Sequence, residues 1–555
     1  MSEQSTAPRP LMGHPSTHGD DYQLNIGAIL RQSARTYHDR EIVYRTADGG
    51  WDRYTYADLE RRVAQAANVF TDLGVRPGDV VGVLDWNSKR HLEMYFALPG
   101  MGAVELEMNL RLGPADMAFV VRHAEATVIC VDETLLPLAE SLAPTMPDVH
   151  TWVLFTDKAP GEVESSLDLV HFEERMAGAA ESFDWPLLDE KSACYSCFST
   201  GTTGNPKGVF YSHRGVYLHT VTEAQFLSLT CSDTVMPITP MFHVSSWGLP
   251  QAAVFCGSKI VLPGRYSAED TPALVDIMVA EDVSVINGAP VILQPMLDHL
   301  RGMDTPPDWS NGRFICGASE PPLTLMRGFS ELTGAMIVHA YGATETTPLV
   351  AINLGGVPSV RESSTQDELW DLRRSQGFLP VGVDIRIVDE LGADVPAGES
   401  GEILLRGPWV IESYWNQPDG AERFLDGWWR SGDAGRLDEH GYLKLTDRLK
   451  DVIKSGGEWI SSIDMENKLL EHPNIKEAAV IGVPHPKWQE RPVAVVVSRD
   501  GTDLTPADLH GVLEGAFAGW QMPDQVVNLD ALPRTSVGKL DKKRLRGSHS
   551  GIYQG

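Results

Sequence analysis

The chain has 555 residues, 42% apolar and 22% charged, with a formal net charge of −30. Such acidity excludes non-specific nucleic-acid binding and docking on anionic membranes, although it leaves room for an anionic ligand in a local basic site. The length calls for more than one hydrophobic core, and no apolar run approaches the roughly 20 residues that span a bilayer.

Residues 1–23 are polar and carry Pro8, Pro10 and Pro15. They lack an apolar signal core and are expected to be poorly ordered in a cytoplasmic protein. Amphipathic helices are predicted over 25–37 and 56–73. In the second, Leu59, Val63, Ala66, Val69, Phe70 and Leu73 recur at helical spacing. Residues 80–85, 126–131 and 151–155 read as strands. The interleaving predicts an α/β architecture with mainly parallel sheets.

A strand-like run over 193–198 leads into Ser199, Thr200, Gly201, Thr202, Thr203, Gly204, Asn205, Pro206, Lys207 and Gly208. Glycines let backbone approach an anion. Hydroxyls and free N–H groups line a concavity suited to phosphate oxygens, and Lys207 adds a positive charge. The spacing is not that of a Walker A loop, because Gly208 and a β-like run follow the lysine. Taken alone, the stretch also fits a polar turn between strands. Cys194 and Cys197 stand at CxxC spacing within the preceding strand, and no second pair supports a metal or redox role.

The character changes at Asp447-Arg448-Leu449-Lys450-Asp451. Beyond it the pattern predicts helix over 465–470, strands over 478–483 and 493–497, helix over 507–520 and strand over 526–529. About one hundred residues suffice for a compact domain. The expected division is a large domain over 24–449, a hinge at Lys450 and a small mobile α+β domain over 451–555.

Further motifs occur in a fixed order. They are Pro240-Met241-Phe242-His243-Val244 with Trp247-Gly248, Gly317-Ala318-Ser319, Tyr341-Gly342-Ala343-Thr344-Glu345-Thr346 and Trp429-Arg430-Ser431-Gly432-Asp433. After the hinge come Ser455-Gly456-Gly457-Glu458-Trp459 and Pro533-Arg534-Thr535-Ser536-Val537-Gly538-Lys539. From about Leu24 to Arg546 the chain resembles the adenylate-forming superfamily of acyl-CoA synthetases, luciferases and peptide-synthetase adenylation domains. The 455–462 wording is most similar to medium- and long-chain fatty acyl-CoA synthetases.

The resemblance implies ATP-dependent adenylation of a fatty or aryl carboxylic acid, then transfer to CoA. It implies that Ser199, Thr200, Gly201, Thr202, Thr203, Gly204 and Lys207 hold phosphates, and that Gly317, Ala318, Ser319, Tyr341 and Gly342 flank adenine. Thr344 would offer its hydroxyl to phosphate and Glu345 an oxygen to Mg²⁺. Asp433 and Arg448 would bind ribose. His243 would be a gate between acyl pocket and pantetheine channel. Lys450 would be the pivot, and Lys539 the catalytic lysine bridging carboxylate and α-phosphate. Gly456, Gly457, Glu458 and Trp459 would arrive for the thioester step. Alternatively, His243 is a core histidine beside aromatics.

Several positions depart from the fatty-acyl pattern: Ala343, residues 288–293, Ser245 and Ser246, Glu105 and Glu107, and Glu320. They either reshape the pocket for an aryl or branched acid or are neutral variation. Other second-step partners stay open: an amine, a carrier-protein thiol, or nitrite in an aryl-amine diazotase of secondary metabolism. A catalytically silent nucleotide- or acyl-binding protein is a further alternative, and the retention of Lys207, Glu345, Asp433 and Lys539 weighs against it. A homodimer is left open.

Overall fold

The structure, a computed structural model, describes residues 11, 13–19, 21–199, 205–456, 458–534 and 540–553. Thr200 to Gly204, Gly457 and Lys539 therefore lie outside the described residues.

The protein is α/β, with a large N-terminal domain and a small C-terminal one. Among the described residues the strands form four sheets. A seven-stranded sheet is parallel except at Lys207–Ser212, which pairs antiparallel with Ala193–Ser199. In the middle of that sheet, Val104–Glu107 lies between Val80–Leu84 and Ala193–Ser199. An eight-stranded sheet carries Thr234–Pro237, Val285–Gly288, Arg313–Cys316 and Met336–Gly342 as neighbours. These four run parallel, and Leu349–Asn353 closes that edge antiparallel.

Strand alternation assigns the layers. Val81, Val83, Val128, Cys130, Val153 and Phe155 join a core that also takes Val235, Val285, Ile315 and Val338 from the other sheet. Helices Ile26–Thr36, Tyr56–Asp72, Lys89–Met101 and Leu249–Cys256 fill the space between the sheets. Val80, Leu84, Ile129 and Val131 face outward onto Pro114–His123. Ile286, Phe314 and Ile337 likewise face the helices Thr271–Ala280, Pro290–Arg301 and Leu323–Thr333. By the same alternation Val104 and Leu106 point outward, which turns Glu105 and Glu107 into the inter-sheet core.

The expected early helices are Ile26–Thr36 and Tyr56–Asp72; the second opens on a capping box between Thr55 and Asp58. In the small domain, antiparallel Ile475–His485 and Gln489–Ser498 carry Gln525–Asn528 on one edge. Two expectations need correction there. Helix 507–520 is only Pro506–Leu513, because the chain turns left-handed at Gly515 (φ 83°). The resemblance implies a loop over 455–462, yet the segment is mostly a hairpin: Ile453–Ser455 pairs with Glu458–Ile460, and Ser461 caps the helix Ser462–Leu469.

Candidate active site

In open α/β sheets, ligands bind beyond the carboxyl ends of parallel strands. Here four such ends converge. The strand Met336–Gly342 runs into Ala343 and the Thr344–Thr346 turn. The strand Arg313–Cys316 runs into Gly317-Ala318-Ser319, with Ala318 left-handed at φ 68°. Val285–Gly288 and Thr234–Pro237 end beside them.

A polar chain crosses this rim. Tyr341 donates its hydroxyl to Asp433 Oδ2 at 2.6 Å, and Arg448 Nε stands 3.4 Å from Asp433 Oδ1. Asp433 and Arg448 face each other across an antiparallel pair in a third sheet. Tyr414 donates to Glu345 Oε1 at 2.9 Å and accepts from Trp429 Nε1 at 3.2 Å. Lys207 Nζ sits 4.8 Å above the Tyr414 ring. Tyr211 donates to the carbonyl of Thr344 at 2.7 Å.

Ser199 pairs with Lys207 across a hairpin, so the two ends of the proposed phosphate loop meet at the base of this rim. Burial raises the Glu345 carboxyl, and the Tyr414 bond partly offsets that. Burial also lowers Lys207. The structure thus unites Ser199, Lys207, Tyr341, Thr344, Glu345, Asp433 and Arg448. Tyr414 and Tyr211 escaped the sequence reading. The only signal for Tyr414 was an aromatic at the end of a Gly-Pro-Trp segment, far from every motif.

Other expected residues stand apart from this group. Lys450 lies just beyond it, and its ammonium is lowered by partial burial and by Arg448 and Arg546. Gly456 turns beside the Trp488 ring, and Trp459 lies 5.8 Å from Lys454 Nζ. Lys454 itself pairs with Glu390 at 2.9 Å. Glu320 accepts from Arg374 Nε (2.7 Å) and from Asn467 Nδ2 (2.9 Å) of the small domain. Its departure from the family pattern is therefore an inter-domain contact.

His243 is half-buried at the head of an unusual turn. Val244, Ser245, Ser246, Trp247 and Gly248 are all left-handed, with φ of 51°, 49°, 49°, 63° and 76°. Each non-glycine residue in that region costs about 1–2 kcal/mol, so the turn needs external support. Ser245 gives both its N–H (2.8 Å) and its hydroxyl to Glu107. Cys197 Sγ adds a third bond to Glu107 at 2.6 Å. Asn287 Nδ2 donates to the Ser246 carbonyl at 2.6 Å. Trp247 packs over Gly317, where a Cβ would come within 2.7 Å of the indole.

Burial sets the titration of the surrounding acids. It pushes Asp85 and Glu107 up to about 7, and it raises Glu105 and Glu223 well above the ordinary carboxylate range. His91 Nδ1 stands 2.9 Å from the Trp86 carbonyl, so Nδ1–H donates there. Nε2 then faces Glu105 Oε1 at 3.3 Å as an acceptor, consistent with a protonated Glu105. The same burial lowers His213 to about 4 and His219 to about 3.

The two sets act oppositely on stability. Neutral histidines favour the fold as pH rises toward their unfolded value of 6.5. Above that value, of these two sets only the carboxyls still differ between states, and through them the folded protein binds more protons than the unfolded chain. Stability must then fall as pH rises. The melting temperature is expected to decline between about pH 6.5 and 8.5. A rise over that window in scanning calorimetry would contradict the assignment of these acids.

Comparison with known proteins fits this arrangement. The AMP-binding enzyme family matches residues 30–415, and the AMP-binding enzyme C-terminal domain matches 464–539. A long-chain-fatty-acid–CoA ligase of Thermus thermophilus is 40% identical over 98% of each chain. A 3-methylmercaptopropionyl-CoA ligase of Ruegeria lacuscaerulensis is 38% identical over 96% of this chain and 98% of its own. ATP-bound MatB of Rhodopseudomonas palustris superposes with a TM-score of 0.80 at 26% identity, covering 96% of this chain and 100% of its own. No helix among the described residues is long and apolar enough to cross a membrane. The chain belongs to the AMP-binding enzymes and, within them, to the AMP-forming acid–CoA ligases.

Proposed function

We propose that the protein activates a fatty or aryl carboxylic acid with ATP and passes the acyl group to CoA in the cytoplasm, through two half-reactions at one site. In the first, a carboxylate oxygen attacks the α-phosphorus of ATP and pyrophosphate leaves. In the second, the CoA thiolate attacks the acyl carbon, the C–S bond forms and AMP departs. The observation that carries this reading is the joined set Tyr341–Asp433–Arg448 and Tyr414–Glu345, with Lys207 alongside, at the strand ends.

Asp433, aligned by Tyr341 and Arg448, accepts from the two ribose hydroxyls. Gly317, Ala318 and Ser319, together with Tyr341 and Gly342, flank adenine. Lys207, with Ser199, Thr200, Thr202 and Thr203, holds the terminal phosphates. Lys539 neutralises charge on the transferring group. No protein nucleophile is needed; positioning and electrostatics supply the rate.

Glu345 also suits Mg²⁺. Among the described residues no group of three His, Cys, Asp or Glu could hold a metal. A single carboxylate beside phosphate oxygens is the donor set that Mg²⁺ accepts. When bound, the ion neutralises phosphate charge and favours departure of pyrophosphate.

Lys450 is the proposed pivot between domains over 24–449 and 451–555. Rotation there withdraws Lys539 and brings in Gly456, Gly457, Glu458 and Trp459. His243, at the head of the left-handed turn, is the proposed gate between acid and pantetheine.

The test is turnover with ATP, Mg²⁺, CoA and a mixture of aliphatic and aromatic acids, with nucleotides separated chromatographically. AMP and pyrophosphate must form in step with an acyl-CoA. ADP, or AMP without a thioester, would contradict the reading.

A further inference from the structure

Glu107 is 2% exposed in the middle of the inter-sheet core, a place where an acid persists only with partners. Two of its three bonds lead to one residue. Both of its oxygens accept from Ser245, one at the backbone N–H and the other at the hydroxyl, and Cys197 adds the thiol. Ser245 lies 138 residues away in sequence and inside the left-handed run of five. The run is fastened on its other side by Asn287 to Ser246, at the end of a parallel strand.

Gly248 closes the run against His219 and Glu223, where a Cβ would meet the Glu223 carboxyl at 2.7 Å. The turn is thus held at Ser245, at Ser246 and at Gly248, on both sides of Trp247. The Trp247 ring lies over Gly317, at the carboxyl end of the next strand, on the rim where the nucleotide-binding groups gather. A backbone conformation this unfavourable persists only where surrounding structure over-determines it. Glu107 supplies the acceptors for Ser245, whose N–H is buried and would otherwise be orphaned.

We propose that Glu107 is a positioning residue for the acid substrate: through Ser245 it fixes the left-handed turn that places Trp247, and so sets which acids the pocket admits. The inference rests on the protein's being an acid-activating ligase. It gives a purpose to two departures from the family pattern, at Glu107 and Ser245, that share one hydrogen-bonded unit. The role is indirect, since neither group reaches the phosphate-binding side chains among the described contacts.

The experiment is acid-dependent ATP–pyrophosphate exchange across a series of acids of graded length and width. It compares the unaltered protein with Ser245→Ala, Glu107→Gln and Glu107→Leu. Ser245→Ala removes one bond and leaves the carboxylate in place. It is expected to raise KM for the preferred acid by about tenfold and to shift the preferred length, with KM for ATP within about twofold; tenfold corresponds to about 1.4 kcal/mol. Glu107→Gln keeps an acceptor and is expected to be milder than Glu107→Leu.

Unchanged acid KM and unchanged acid preference in Ser245→Ala and Glu107→Gln would overturn the proposal. So would a parallel rise in KM for acid and ATP with a lowered melting temperature, which is the mark of a general packing role. Absence of exchange with every acid in the unaltered protein would instead overturn the ligase reading, and this inference with it.

Discussion

Lys539→Ala is expected to lower the adenylation half-reaction by about 10²–10³-fold, the loss typical of removing one charge-stabilising donor from a transition state. The same variant should still form thioester from a supplied acyl-adenylate and CoA. The asymmetry follows from the chemistry. Negative charge accumulates on the α-phosphoryl oxygens while the carboxylate approaches, and a cation is needed there. In the second step the phosphate is already the leaving group of an activated ester, and the demand falls on the thiolate. The described residues that flank its segment, Arg534 and Leu540, form an antiparallel bridge. Lys542 just beyond it is buried and ion-paired with Glu466 at 2.6 Å, so it does not stand in for the missing ammonium. Rapid-quench measurement of the two half-reactions separately decides the matter. Equal losses in both would remove Lys539 from the role.

Glu345→Gln is expected to cost at least about 10²-fold in kcat/KM for ATP, because even partners one step removed from a metal ion are worth 10–100-fold. The change is nearly isosteric. Tyr414 can still donate to the amide oxygen, so the 2.9 Å contact that orients the side chain survives. What disappears is the charge. The loss should therefore show as a raised Mg²⁺ requirement, with binding of the free acid untouched. Titration of activity against Mg²⁺ at fixed ATP reads this directly. A variant with an unshifted Mg²⁺ dependence would leave Glu345 as a structural acid held by Tyr414.

Local motifs carried most of what was legible beforehand. Tyr341, Glu345, Asp433 and Arg448 each sit in a short stretch whose residue types suit nucleotide chemistry, and the fold brings them together. The strands over 80–85 and 151–155 were legible too, since short apolar runs suit strands buried on both faces. What escaped was long-range pairing. Tyr414 reaches Glu345 across 69 residues, and Glu107 reaches Ser245 across 138. Glu107 and Ser245 stood out as unusual residues, yet nothing local said that each explains the other. Helical periodicity over 507–520 ran through Gly515 because apolar spacing does not register a left-handed residue. The resemblance implied a loop over 455–462, whereas the left-handed turn at Gly456 serves a tight hairpin.

The central claim is that a carboxylate oxygen of the substrate becomes bonded to the α-phosphorus of ATP. An acid labelled with ¹⁸O in its carboxyl group, turned over with ATP, Mg²⁺ and CoA, tests it in one mass spectrum. The account predicts one ¹⁸O in the AMP phosphate and none in pyrophosphate, because the C–O bond breaks when the thiolate displaces AMP. Unlabelled AMP, or ADP in place of AMP, would contradict it.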